Sequence, residues 1–340
     1  MMPVSMVGRA DELGELTTAW VRLRVRRDRA GAGAAQTRTA VITGAGGSGK
    51  SLLVSAALAA FDPGPTLVLS GQARVHTPAP YDWLAAVLSD RDTRDLPVPA
   101  DALAWLAQHP DAPRYRYAPD ALLRLAVRTV RALVGAGPAV LVVEDLHALD
   151  PASLNLVAEL AAAPGLPALM LVTSRPADAS VSPALTALTL ARLAGVPGAI
   201  RQHLGPLGAG DVGELLTTVY AAEVPAQVSR AVWERTDGNP YWLTELLAAR
   251  RGAPPEALAF GPLPEHLRFM SSATRPTELT AREREVLSCL AAGMSNKQVA
   301  RSLGISIRTV TVHVSNLLRK TQSASRTEAA LWAVRHQLTG

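Results

Sequence analysis

The chain has 340 residues, 48% of them hydrophobic and 19% charged, which suits about two domains with cores of their own and excludes wholesale disorder. No uncharged apolar run reaches the roughly 18 residues of a membrane span, Asp11 and Glu12 precede any apolar stretch, and Cys289 is the single cysteine, so a membrane helix, a secretory leader and an internal disulfide are all excluded and a cytoplasmic protein is expected. The net charge of +5 is uneven: residues 277–340 carry nine Lys/Arg against four acids, leaving 25 basic and 25 acidic residues for positions 1–276, an imbalance that suits a polyanion-binding tail.

Short, nearly all-apolar runs alternate with longer helical patterns over the first 205 residues. The predicted strands are 39–43, 66–70, 139–143, 168–173 and 199–204. Runs of this kind suit strands buried on both faces, and the connections between them are long enough for crossover helices. The expected fold is a doubly wound α/β core, a parallel sheet with helices on both faces. Residues 91–119, with five prolines and many charges, read as an irregular surface excursion.

The first strand runs into Gly44-Ala45-Gly46-Gly47-Ser48-Gly49-Lys50-Ser51 and then into a helical stretch. Strand, glycine-rich loop and helix in this order make a phosphate cradle, so the expected fold class is an α/β P-loop NTPase. Glycines let successive amides converge on phosphate oxygens, and the helix presents its positive end to the same anion. Gly44, Gly46, Gly47, Ser48 and Gly49 form the loop, Lys50 reaches the outer phosphates, and the Ser51 hydroxyl suits Mg²⁺. The strand at 139–143 ends in Glu144-Asp145, an acidic pair fitted to hold the metal shell and orient a water. Thr173-Ser174-Arg175 ends the next strand, and Arg175 is the candidate sensor of the terminal phosphate. Asp150 before Pro151 reads as a helix N-cap. ATP or ADP with Mg²⁺ is the expected ligand.

Residues 211–250 are purely helical in pattern, broken by the turn Asp237-Gly238-Asn239-Pro240. Together with Val7-Gly8-Arg9-Ala10-Asp11-Glu12-Leu13, Pro80-Tyr81-Asp82-Trp83-Leu84 and Leu204-Gly205-Pro206-Leu207, these motifs resemble the AAA+-related STAND ATPases, in particular those of the large ATP-binding LuxR-type regulators. The resemblance spans about residues 5–250. It implies that Gly8 and Arg9 lie near the adenine and that Pro240 closes over it from a helical lid. Glu144-Asp145 departs from the two aspartates of many such proteins, and Ala148 from an aromatic residue. His147 reads as a packing or capping residue. Residues 252–276, with five prolines, read as a linker.

The C-terminal segment predicts a helix over 281–292 ended by Gly293, a second over 296–303 capped by Ser295, a turn at Gly304, and a third over 307–320. Val310, Val314 and Leu317 form the inner stripe of the third helix, and Arg308, Thr311, Val312, Ser315 and Arg319 the outer one. An outer stripe of that kind enters the major groove in a helix–turn–helix. Thr309 belongs to the same DNA-binding set. Asn296, Lys297, Arg319 and Lys320 suit phosphate contacts. A last helix over 327–336 offers Ala330, Leu331 and Val334 for packing or dimerisation. The run from Leu279 to Val314 is similar, nearly position by position, to the LuxR/GerE-type DNA-binding domain. That resemblance places Thr311, Val312 and Ser315 at base-facing positions. Thr311 stands where most members have lysine, and Lys320-Thr321-Gln322-Ser323 replaces Lys-Leu-Gly-Val.

The expected organisation is a core over 1–205, a lid over 206–251, a linker over 252–276 and a DNA-binding domain over 277–340. The expected protein is an ATP-binding transcriptional regulator, a homodimer or higher homo-oligomer on double-stranded DNA, with slow ATP hydrolysis at most. Two other readings stay open at this point. The P-loop domain is a static dimerisation scaffold, or it is an enzyme such as a kinase with a DNA anchor.

Overall fold

The computed structural model describes residues 6–30, 37–71, 79–89, 91–110, 112, 117–176, 180, 182–263 and 281–306, and then 310, 313–314, 317–318, 321, 323 and 326–335. It divides into two compact units. One holds the chain to Val224 together with Gly238–Tyr241, and the other holds Pro225–Asp237 and Trp242 onward.

The first unit is built on five parallel strands, β1 (Arg38–Gly44), β2 (Val68–Gly71), β3 (Ala139–Val143), β4 (Ala168–Ser174) and β5 (Ile200–Leu204), in the order β2-β3-β4-β1-β5. Alternate residues of the inner strands face opposite cores, as the two-residue period of a strand requires. Ala40, Ile42, Val140, Val142, Leu169 and Leu171 meet α1 (Ala10–Ala30) and α2 (Lys50–Ala60) through Leu16, Trp20, Leu53 and Ala57. Val41, Leu141, Val143, Met170 and Val172 meet α3 (Asp82–Leu88), α5 (Pro119–Val134), α6 (Pro151–Ala162) and α7 (Pro183–Gly195). The result is the expected three-layer α/β sandwich. β1 lies between β4 and β5, so the glycine-rich loop and Arg175 leave neighbouring strand ends on one side of the sheet.

Residues 91–119 differ from the reading as an irregular excursion. They contain α4 (Ala100–Leu106), which buries Ala102, Leu103 and Leu106. Seven residues are only two turns, too few for a periodic signal among five prolines. α8 (Ala209–Tyr220) completes the first unit.

The segment ahead of α3 is pinned to the start of α6. The buried Asp150 carboxylate accepts from the amides of Tyr81 (3.1 Å), Asp82 (3.2 Å) and Ser153 (2.9 Å), so it is the expected N-cap and a good deal more. Ser153 Oγ accepts from the Trp83 amide at 3.3 Å, and the Trp83 indole donates to the Val142 carbonyl at 2.9 Å. Burial, and then the charge of Asp150, push the Tyr81 phenol up to about 12. An unfolded tyrosine titrates near about 10, so the folded chain holds this proton longer. The stability tied to it is complete below pH ~10 and is lost as the pH rises through about 12. Urea unfolding at pH 9 and 11 is expected to show this alkaline loss, reduced in Tyr81→Phe.

In the second unit α9 (Ala226–Thr236) packs on α11 (Pro255–Phe260), and α10 (Pro240–Ala249) joins the two units in sequence. α11 falls in the stretch read as linker. It is six residues long and buries Leu258 and Ala259, so again no period announces it. Arg235 donates to the carbonyls of Ala259 and Gly261, each at 2.7 Å, and so satisfies the end of that helix. Burial, and then the neighbouring Arg250, lower the Arg235 pKa.

Candidate functional site

The loop between β1 and α2 owes its shape to backbone geometry that side chains rarely tolerate. Gly47 has φ +78°, and a Cβ there would lie 2.6 Å from Tyr241 Cβ and 2.7 Å from Asn239 Oδ1. Gly49, also at positive φ, is the N-cap of α2 and supplies no side-chain cap, so the first amides of the helix are left for another acceptor.

Lys50 is buried, 8% exposed, and its ammonium donates to the carbonyls of Gly44 (3.0 Å) and Ala45 (2.8 Å), with Ser48 Oγ at 3.5 Å. Burial lowers its pKa, Asp145 opposes that shift and Arg175 adds to it. The loop thus folds back on its own cation. Ser51 Oγ donates to Glu144 Oε2 at 2.7 Å, which joins the loop to the acidic pair at the end of β3. A hydroxyl and a carboxylate oxygen side by side are hard donors of the kind Mg²⁺ takes, so these residues fit that ion.

Asp145 adopts a left-handed conformation, and its amide donates to Thr173 Oγ1 at 3.0 Å. Its carboxylate is half exposed, with Oδ1 3.9 Å from His147 Nδ1. The Arg175 amide donates to the same Nδ1 at 3.3 Å, which makes that nitrogen an acceptor. Burial is the main cause of a lowered His147 pKa. Asp145 opposes it, and Arg175 and Lys50 reinforce it. His147 therefore holds the ends of β3 and β4 together, close to the packing role expected of it. The Arg175 guanidinium is 3.3 Å from where a Cβ of Gly46 would stand, directly over the loop.

Gly8 and Arg9 lie elsewhere on the same side of the sheet. Arg9 donates to the Gly205 carbonyl and pairs with Glu12 at 3.2 Å. A Cβ on Gly8 would meet the Asp211 carboxylate at 2.7 Å, at the start of α8. The Leu207 amide donates to the Gly238 carbonyl at 2.8 Å, linking this junction to the turn before α10. Pro240 Cγ is 4.0 Å from where a Gly49 Cβ would be. The structure thus brings together the loop, Glu144, Asp145, Arg175 and Pro240, while Gly8 and Arg9 lie against Asp211 and Gly205. Thr173 and Asn239 were read from the sequence only as parts of a strand end and a turn, because their partners are backbone groups distant in the chain.

In the C-terminal segment, helices cover Ala281–Ala291 and Asn296–Leu303. Ser295 caps the second in a capping box with Gln298, and Gly304 ends it at φ +64°. Asn296 accepts from Arg326 at 3.4 Å, and Lys297 is exposed. Arg308, Thr309, Thr311, Val312, Ser315, Arg319 and Lys320 lie outside the described residues. Val310 and Leu317 are buried against Val286, Leu287, Leu290 and Val299, as their spacing requires. In the last helix, Arg326–Arg335, Ala329 and Ala333 are buried, and Ala330, one of the face expected for packing or dimerisation, is half-buried. Small residues at i and i+4 let it lie close on the first helix. Thr321 and Ser323 are buried and bonded to each other at 2.9 Å, a polar pair at the two positions where the resemblance implies apolar anchors.

Residues 5–172 match the model of the AAA ATPase domain, and residues 277–333 match the model of bacterial regulatory proteins of the luxR family. An uncharacterized transcriptional regulatory protein, YhcZ of Bacillus subtilis, is 54% identical over 63 residues, which is 18% of this chain and 29% of that protein. The transcriptional regulatory protein LiaR of the same organism is 39% identical over 93 residues, 27% of this chain and 44% of that one. The nitrate/nitrite response regulator NarL of Escherichia coli is 49% identical over 55 residues, 16% of this chain and 26% of that protein. The chain therefore matches less than half the length of these relatives. Among solved structures, the ORC1 protein of Aeropyrum pernix in complex with DNA aligns at a TM-score of 0.49 and 14% identity, over 93% of this chain and 84% of that one. No described helix is long and apolar enough to cross a membrane. The chain thus pairs an AAA ATPase domain in its N-terminal half with a C-terminal domain of the luxR family of bacterial regulatory proteins.

Proposed function

We propose that this regulator binds ATP or ADP with Mg²⁺ in the loop between β1 and α2, and that the bound nucleotide sets its self-association and its grip on double-stranded DNA. The observation that carries the reading is the 2.7 Å bond from Ser51 to Glu144 beneath the glycine-rich loop, which joins two sequence-distant motifs into one site. Gly44, Gly46, Gly47, Ser48 and Gly49 supply the backbone of the cradle. Lys50 leaves its carbonyl partners for the outer phosphates, and Arg175 faces them from β4. Ser51 and Glu144, with Asp145 beside them, would hold Mg²⁺, which when bound neutralises phosphate charge. Asp145 is placed to orient a water, and hydrolysis is slow and serves to reset the switch.

On this reading Asn296, Lys297, Arg319 and Lys320 fix the C-terminal domain on phosphates. Arg308, Thr309, Thr311, Val312 and Ser315 read base edges, and pairing of two chains sets the spacing of half-sites. The test is DNA binding by the full chain with ATP, with ADP and without nucleotide, alongside its sedimentation in the same three states. Affinity and oligomeric state are expected to differ between the ATP and ADP forms by several-fold. Identical values in all three states would make the ATPase domain a static scaffold.

A further inference from the structure

For four residues, Gly238–Tyr241, the chain belongs to the first unit although its neighbours on both sides belong to the second. These residues grip the outer side of the phosphate loop. Asn239 Nδ2 donates to the Gly46 carbonyl at 3.0 Å, and the Tyr241 amide donates to the Gly47 carbonyl at 3.2 Å. The same Tyr241 amide lies 3.0 Å from Asn239 Oδ1. The orientation of the Asn239 carboxamide follows from chemistry alone. An amide N–H needs an oxygen opposite it, and a carbonyl needs a donor.

In a trans peptide the carbonyl of one residue and the N–H of the next point in opposite directions. Holding the carbonyls of Gly46 and Gly47 outward therefore turns the peptide planes so that the amides of Gly47 and Ser48 point away from the turn, into the loop, where the Ser48 amide meets the Ala45 carbonyl at 3.3 Å. A phosphate cradle needs donors turned this way, and a phosphate oxygen would take the place of that carbonyl. At Gly47 the contact is too close for any side chain, so loop and turn fit each other through the absence of a Cβ.

We propose that Asn239 is a positioning residue for nucleotide binding: it pre-orients the peptide planes of the phosphate loop and acts on the phosphate chain, with no role in reading the base. This rests on the reading of the loop as an ATP site. The test uses the full chain and a fluorescent ATP analogue displaced by ATP, ADP or inorganic triphosphate. Asn239→Asp keeps the oxygen opposite the Tyr241 amide but sets a second oxygen against the Gly46 carbonyl. Asn239→Ser keeps a local acceptor for the turn and removes the long-range donor. Both are expected to weaken ATP, ADP and inorganic triphosphate alike, by about tenfold, the scale of one lost hydrogen bond to a cradle that must then order itself. The melting temperature of the nucleotide-free protein should stay at the wild-type value. Variants that bind all three competitors as wild type does would overturn the assignment. So would a loss confined to ATP and ADP with triphosphate unaffected, or a wild-type protein from which triphosphate displaces nothing. A wild-type chain without affinity for any adenine nucleotide overturns the ATP reading itself and the role of Asn239 with it.

Discussion

Lys50→Ala is expected to abolish the stabilisation by nucleotide while leaving the free protein as stable as before. The Lys50 ammonium is buried, and its contacts are two neutral carbonyls and a hydroxyl. Burial disfavours its charge, as its lowered pKa records, so deleting it removes a cost as well as some bonds. With a triphosphate in the loop, the same ammonium exchanges neutral acceptors for anionic ones. Charge-assisted bonds contribute about 1.5–3 kcal/mol each. Two such exchanges amount to roughly 3–5 kcal/mol, or about a 100- to 4,000-fold loss of affinity in the variant. Thermal melting with and without Mg-ATP separates the two effects. The wild-type curve should move up with ATP, and the variant curve should start at the wild-type position and stay there. A variant that still gains stability from ATP would show that phosphates are held elsewhere.

The parts of this molecule legible from sequence were those whose signal is local. The inner strands are apolar throughout because both of their faces are covered, so 139–143 and 168–173 stand out against their flanks. The glycine-rich loop is legible because positive φ at Gly47 and Gly49 excludes most other residues. Ser295 and Gly304 mark their helix ends by the same kind of short-range chemistry. What was hidden lacks a period or depends on a distant partner. α4 and α11 are two turns or fewer, and each is held by the burial of a few aliphatic side chains. The burial of Ala329 and Ala333 in the last helix was hidden too, because residues this small stand out little as core positions. Asn239 could be read as a turn residue but not as a clamp, since its partner carbonyl is 193 residues away. The positive charge of the tail was legible. The placement of its base-facing residues was not, and that part rests on family likeness.

Asp150→Ala is expected to be the most destabilising single change in the ATPase domain outside its apolar core. The carboxylate is 5% exposed and accepts from three amides, those of Tyr81, Asp82 and Ser153. Alanine leaves all three buried donors without that acceptor, and each unsatisfied group costs about 1–3 kcal/mol. Partial relaxation brings the total to roughly 4 kcal/mol, a large share of the 5–15 kcal/mol by which a domain is usually stable. At about 2–4 °C per kcal/mol for a domain of this size, the melting temperature should fall by roughly 8–16 °C. Asp150→Asn tests the cause. Its oxygen still serves Tyr81 and Ser153, but its NH₂ faces the Asp82 amide, so donor meets donor, and a loss of about half the alanine value is expected. The consequence reaches the site because α6 begins where the Leu146–Ala148 turn after Glu144 and Asp145 ends. Loosening that start frees the β3 end, and ATP-induced stabilisation should shrink in step with the loss of stability. An Asp150→Ala protein that melts at the wild-type temperature would mean that water replaces the carboxylate at all three amides, and that α3 and α6 are held by Trp83 and the apolar core instead.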